Sequence, residues 1–151
     1  MRSLCIEGKA GRMKSATEGN TIIVRLEDGE DLFQSLSRAA REHGAVSGHV
    51  VWGIGQLRDF ELGYFDGMQY ERRTFFEAYE VVSLHGSMTV GTDPPFHLHA
   101  ALSSSDFAMV GGHLFRATVA TVGEVCIEKF GRIQLGRELD GRTGLRKLTL
   151  R

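Results

Sequence analysis

Three of the chain's six histidines fall within seventeen residues, in the stretch "HLHAALSSSDFAMVGGH" from His97 to His113. In an extended strand, side chains alternate between faces, so His97 and His99 project the same way with a rise of about 6.6 Å between them. Two imidazoles so placed can close on one metal ion through different ring nitrogens. Ser103 to Ser105 and then Gly111-Gly112 let the chain fold back, which carries His113 to the same place. Three neutral imidazoles suit zinc, iron, nickel or copper and leave a fourth position open for water. Read from the residues alone, two assignments stand: ligands to one ion, or imidazoles packed together as part of the fold, where burial without a partner carries a desolvation penalty.

A metal that activates water also needs a base nearby. Glu80, Glu124 and Glu128 lie on strand-like segments and are the candidates, either as that base or as carboxylates orienting a ligand histidine. Each is better explained as a solvated or ion-paired strand residue. His43 falls at the end of a helical pattern, where positive charge suits the helix dipole. His49 and His85 sit in strand-like segments without an evident partner, and His85 is the better neighbour to the cluster. No Ser-His-Asp or Cys-His arrangement, phosphate loop or HExxH helix competes with the histidine cluster. Gly53-x-Gly55 is followed by strand rather than helix, so it reads as a sharp turn between two strands and not as a dinucleotide loop.

The elements that must position the cluster are mostly strands. "TIIVRLE" is β-branched and apolar and ends at the turn signal Asp28-Gly29. From Asp31 the apolar spacing changes to three and four residues, through Leu32, Phe33, Leu36, Ala39 and Ala40, with Asp28 or Asp31 as cap and Gly44 as terminator. This predicts an amphipathic helix over 31–43. The segments "AVSGHVVWGIG", "DFELGYFDG", "TFFEAYEVVSLHGSMTV", "FHLHAALS" and "ATVATVGEVCIEKF" then read as successive short strands. Phe107 to Phe115 is a candidate helical turn, and "TGLRKLTLR" a last edge strand. One helix followed by many strands predicts an α+β fold with a mainly antiparallel or mixed sheet.

At 151 residues, with 42% hydrophobic and 25% charged residues, the chain is expected to form one domain over 1–151, its core at about 22–150 and residues 1–20 an N-terminal extension. No apolar run reaches membrane-spanning or signal-peptide length, which predicts a cytoplasmic protein with no membrane partner. Cys5 and Cys126 are far apart and read as free thiols. The net charge of −1 argues against a protein built mainly to coat nucleic acid. It is unevenly spread: residues 1–15 carry +3 and residues 131–151 carry +4, leaving −8 on the body between them. Basic ends can meet phosphate, or the acidic body of the same or a neighbouring chain.

Taken in order, "GEDLFQSLSRAAREHG", "GHVVWGIGQLRDFELGYFD", "YEVVSLHGSM", "HLHAALSSSDFAMVGGHLF" and "ATVGEVCIE" resemble the plants-and-prokaryotes-conserved (PPC) domain in its stand-alone prokaryotic form. The resemblance runs from about Ile22 to Leu150. It implies an α+β fold with a mixed, mainly antiparallel sheet flanked by helices, and a homotrimer, which the apolar strand faces would hold together. It also implies a zinc site, or one for another divalent transition metal, at His97, His99 and His113. The bacterial relatives are often called DNA-binding, so a DNA or regulatory protein partner is implied too. The Arg-Gly-Arg-Pro core of a minor-groove hook is absent from this sequence. Two functions follow as expectations: a trimeric metal-site protein with a regulatory or DNA-associated role, and a metal-dependent enzyme acting on a small molecule through metal-bound water.

Overall fold

In the computed structural model, described here for residues 13–151, nine strands and one helix follow one another along the chain. They are β1 (Lys14–Glu18), β2 (Thr21–Glu27), α1 (Leu32–Glu42), β3 (Ser47–Phe65), β4 (Tyr70–Phe75), β5 (Tyr79–Thr89), β6 (Phe96–Ser103), β7 (Met109–Lys129), β8 (Leu135–Leu139) and β9 (Arg146–Leu150). Cys5 and the basic residues Arg2, Lys9 and Arg12 lie outside the described residues. The sheet is antiparallel at every pairing, and among the described residues α1 is the one helix, so "flanked by helices" is corrected to a mainly β fold with a single covering helix. Residues 14–18, assigned from sequence to an extension, form β1 and pair with β2.

The two longest strands organise the rest. β3 and β7 pair antiparallel from Gly48↔Lys129 to Gly63↔His113. The other edge of β3 pairs with β5, β5 pairs with β6, and β6 returns to the first residues of β7, so β3, β5, β6 and β7 form a closed ring of hydrogen-bonded strands. Closure removes the open edges these strands would otherwise present. Inside the ring lie Leu57, Leu62, Leu98, Leu102 and Leu114, and Phe60 stacks on Phe75 at 4.9 Å between ring centroids. Near-complete burial of such side chains is the main favourable term, at about 1.5–3 kcal/mol each.

Helix α1 forms where the three-four spacing places it, and it covers the core with Leu32, Leu36, Ala39 and Ala40. Asp31 is the cap, its Oδ1 accepting from the Gln34 N–H at 2.8 Å, and Gly44 ends the helix at φ +63°. Asp28 instead accepts from the Arg58 guanidinium and from the Thr121 N–H at 3.1 Å. Phe107 to Phe115 is not helical: a tight turn closes with Phe107 N–H to Ser104 O at 2.9 Å, and β7 begins at Met109.

Gly53-x-Gly55 does not turn the chain either. It lies inside the unbroken β3 at an irregularity in its pairing with β7. Gly55 has φ +116°, and a Cβ there would stand 2.2 Å from the Val122 carbonyl oxygen, so glycine lets two strands approach where they slip in register. The last strand expected from "TGLRKLTLR" is β9, which pairs with β8 as a separate hairpin rather than extending the main sheet.

Candidate metal centre

Register alone brings the three histidines together. His99 pairs directly with His113 across β6 and β7, and His97 precedes His99 by two residues on the same face. Directly paired strand residues carry their side chains on one face, so the fold-back through Ser103–Ser105 sets all three rings side by side. One ring nitrogen from each of His97, His99 and His113 lies within 4.8 Å of the other two. The Nε2 atoms of His97 and His99 are 3.3 Å apart. Two nitrogens held at about 2.0–2.1 Å on tetrahedral zinc stand roughly 3.3–3.4 Å apart, so this pair is already spaced as ligands. The Nδ1 atom of His113 is buried without a hydrogen-bond partner. That orphan is the kind of group a metal or a second binding partner satisfies, so the donor set fits a transition metal.

The electrostatics shift all three rings toward the neutral form that ligation requires. Burial lowers the His113 imidazole to about 4, with smaller contributions from His97, His99, Arg72 and Arg137. Burial is also the largest cause of the lowering at His97, followed by Arg137 and His99, and at His99, followed by His85. A stability prediction follows for the metal-free protein. Between about pH 6.5 and 4 the unfolded chain takes up a proton that the folded His113 refuses, so stability rises with pH through this window and is lost on acidification. Urea midpoints of metal-free protein at pH 7 and pH 5 are expected to show this drop, and His113→Gln to make it shallower; an unchanged slope in the variant would place the effect elsewhere.

A cleft of about 550 Å³ opens beside the cluster, lined by His97, His113, Tyr70, Phe115, Arg72 and Arg137 among others. The Tyr70 ring lies 5.1 Å from His113, and Phe115 lies 4.3 Å from it. The Arg72 guanidinium sits 3.7 Å from the centre of the Phe115 ring and pairs with Glu61 at 3.1 Å. Residues of the β8–β9 hairpin also line it, so the basic C-terminal stretch contributes Arg137, Arg146 and Lys147 to this cleft. The local pattern of that stretch shows its charge but not which strand it folds against.

The structure places the three candidate carboxylates elsewhere. Glu128 accepts from or pairs with His49 Nε2 at 2.9 Å, which also supplies the partner that His49 lacked in the sequence reading. Glu80 accepts from Gln56 Nε2 at 2.6 Å and is in register with Ser103, four residues or roughly 13 Å along β6 from His99. Glu124 is in register with Arg25 and Ile54, eleven residues beyond His113 on β7. His85, by contrast, pairs directly with His99. His43 is the C-cap residue of α1; its Nε2 lies 2.9 Å from Ser15 Oγ and its carbonyl accepts from Lys129 Nζ.

Comparison with known proteins supplies what geometry does not. A family profile described as the Plants and Prokaryotes Conserved (PCC) domain matches residues 13–131. The solved structure of a protein from Bacteroides thetaiotaomicron, provisionally assigned as DNA-binding, superposes with a TM-score of 0.81 at 25% identity, covering 92% of this chain and 98% of that one. A metal-containing protein from Archaeoglobus fulgidus superposes with a TM-score of 0.74 at 27% identity, covering 87% of this chain and 94% of that one. The chain is also 30% identical over 142 residues to the bifunctional protein GlmU of Synechococcus sp. (strain JA-3-3Ab); the match takes in 92% of this chain but spans only 22% of that protein.

Proposed function

We propose a function from one premise: the chain belongs to the Plants and Prokaryotes Conserved domain family. On that premise it is a cytoplasmic metal-site protein in which His97, His99 and His113 hold one divalent transition metal, zinc first among them, and three chains assemble. The observation that carries the reading is the convergence of three ring nitrogens within 4.8 Å on one sheet face. The metal-containing relative from Archaeoglobus fulgidus supports it. When bound, a metal with three protein ligands and an open position polarises or deprotonates whatever occupies that position. The protein's own contribution is a fixed trio of neutral imidazoles at the mouth of a partly apolar cleft.

Assembly has support in the surface. Ile23, Cys126 and Trp52 are in register across β2, β7 and β3, and Ile54 stands two residues beyond Trp52. Ile23, Trp52 and Ile54 are all exposed in the single chain, apolar side chains of a kind that a sheet face normally buries. We assign this face to contact between copies, as the homotrimer of the family resemblance requires.

The role of the centre divides into two readings. A small-molecule site is favoured by the cleft, which is lined in part by the hairpin and reaches the histidines directly. A DNA-associated role draws on the relative from Bacteroides thetaiotaomicron. Protein purified without an affinity tag or added metal is expected to carry close to one metal per chain and to have a solution mass of about 50 kDa, three times 16.7 kDa. Metal-free protein of monomer mass would sink the proposal. The DNA reading predicts duplex affinity that falls steeply as salt is raised; weak binding that salt does not move would remove it.

A further inference from the structure

Of the cations that line the cleft, Arg72 is paired with Glu61 at 3.1 Å, and Lys147 with Asp140 at 2.6 Å. Arg137 and Arg146 lack a carboxylate partner among the described residues, and Arg137 alone of these two is half-buried, Arg146 being exposed. The Arg137 guanidinium is anchored by a single hydrogen bond, donated to Ser87 Oγ at 2.7 Å, and its Nε is buried with no partner at all. Ser87 is in register with His97, so the guanidinium is fastened one strand away from the histidine centre. An arginine stays charged in such a place, and a buried donor left unpaired is unfavourable. The Nε is closed off, but the terminal N–H donors of Arg137 not spent on Ser87 belong to a side chain that lines the cleft, and they leave room there for an anion.

The shape of that anion can be read from the remaining surfaces. A guanidinium fork matches a planar carboxylate through two parallel N–H donors. Tyr70 and Phe115, with their rings 5.0 Å apart and edge to face, offer an aromatic corner in the same cleft, and Leu145 and Leu148 of the hairpin add apolar lining. A volume of about 550 Å³ is in the range of small-molecule sites. We propose that the cleft binds a small organic acid, its carboxylate held by Arg137 beside the histidine centre and its apolar body against Tyr70, Phe115 and the β8–β9 hairpin. This names the ligand class of the metal site proposed above and rests on that reading for the ligand's second point of contact. The basic C-terminal stretch thereby acquires a task other than phosphate-backbone contact.

The test compares benzoate with benzamide, a neutral molecule of nearly the same shape, by calorimetry on the full-length protein, with metal content and melting temperature measured on every sample. Benzoate is expected to bind at least tenfold more tightly than benzamide to the wild type. Arg137→Gln is expected to erase that advantage with metal content unchanged, and Arg137→Lys to keep part of it. Equal binding of the two probes by the wild type, or no binding of either, overturns the proposal without any variant having to fold. An Arg137→Gln protein that melts lower yet keeps the benzoate advantage makes the arginine a clamp between hairpin and β5, which also overturns it. Wild-type protein that holds no metal but prefers benzoate through Arg137 upholds the anion site and removes the metal reading, so the two failures are told apart.

Discussion

A protein carrying His97→Ala and His99→Ala together is expected to lose its metal, falling from close to one ion per chain to below a tenth. The expectation follows from the donor count. The centre offers three imidazoles, and the two replaced are those whose Nε2 atoms stand 3.3 Å apart. Loss of an outer hydrogen-bond partner alone lowers metal affinity by roughly 10–100-fold, so loss of two direct ligands lowers it by at least about 10³-fold. The same variant tests whether the histidines hold the fold. They are only partly buried, and the apolar residues of β6, Phe96, Leu98, Ala100 and Leu102, carry its packing. Metal-free wild type and variant are therefore expected to melt within a few degrees of each other, while metal stabilises the wild type alone, by the mass-action gain of a ligand that binds the native state. Metal retained by the variant would place the ion elsewhere; a variant that unfolds whether or not metal is supplied would make the imidazoles structural.

Part of this centre was legible in the sequence because its logic is local. Alternation along one strand puts His97 and His99 on one face, and a turn rich in serine and glycine returns the chain to His113; neither step needs knowledge of distant residues. Helix α1 was legible for the same reason, since its apolar spacing, cap and terminal glycine all lie within fourteen positions. What the sequence could not disclose depends on partners far along the chain. His49 is satisfied by Glu128, seventy-nine residues away, and Arg137 is fastened to Ser87, fifty residues away. The lengths of β3 and β7 were hidden too. Irregular pairing at Val50/Trp52, Gly55/Gln56 and Arg58/Glu61 breaks the two-residue alternation, so one strand of nineteen residues reads as two shorter ones with a glycine turn between them. Of the glycines that suggested a turn, Gly55 is instead a point where two backbones come too close for a side chain, and Gly53 is one where the Leu84 side chain fills the space.

Close backbone approach at a glycine of β5 carries the second large expected effect. Gly86 pairs with Leu98 on β6 and with Val50 on β3 and has φ +153°. A Cβ built there would stand 1.9 Å from the carbonyl oxygen of His97 and 2.8 Å from its carbonyl carbon. Both obstacles are backbone, so no rotamer change relieves them, and Gly86→Ala can be accommodated only if β5 and β6 separate at the residue that begins the HxH pair. Overpacking of this kind is unfavourable by about 1–3 kcal/mol, and an unfavourable backbone conformation adds a further amount of about 1–3 kcal/mol. For a chain of this size each kcal/mol lowers the melting temperature by about 2–4 °C. Gly44→Ala is the matched control: Gly44 is also left-handed, at φ +63°, but a Cβ there meets nothing within 4 Å. Gly44→Ala is expected to lower the melting temperature slightly and leave metal content unchanged. Gly86→Ala is expected to lower it several degrees further and to weaken metal binding, because the strand that moves is the one that carries His97 and His99. If the two variants melt alike and hold equal metal, β5 does not press on the backbone of His97, and the spacing of the centre is set by β6 and β7 alone.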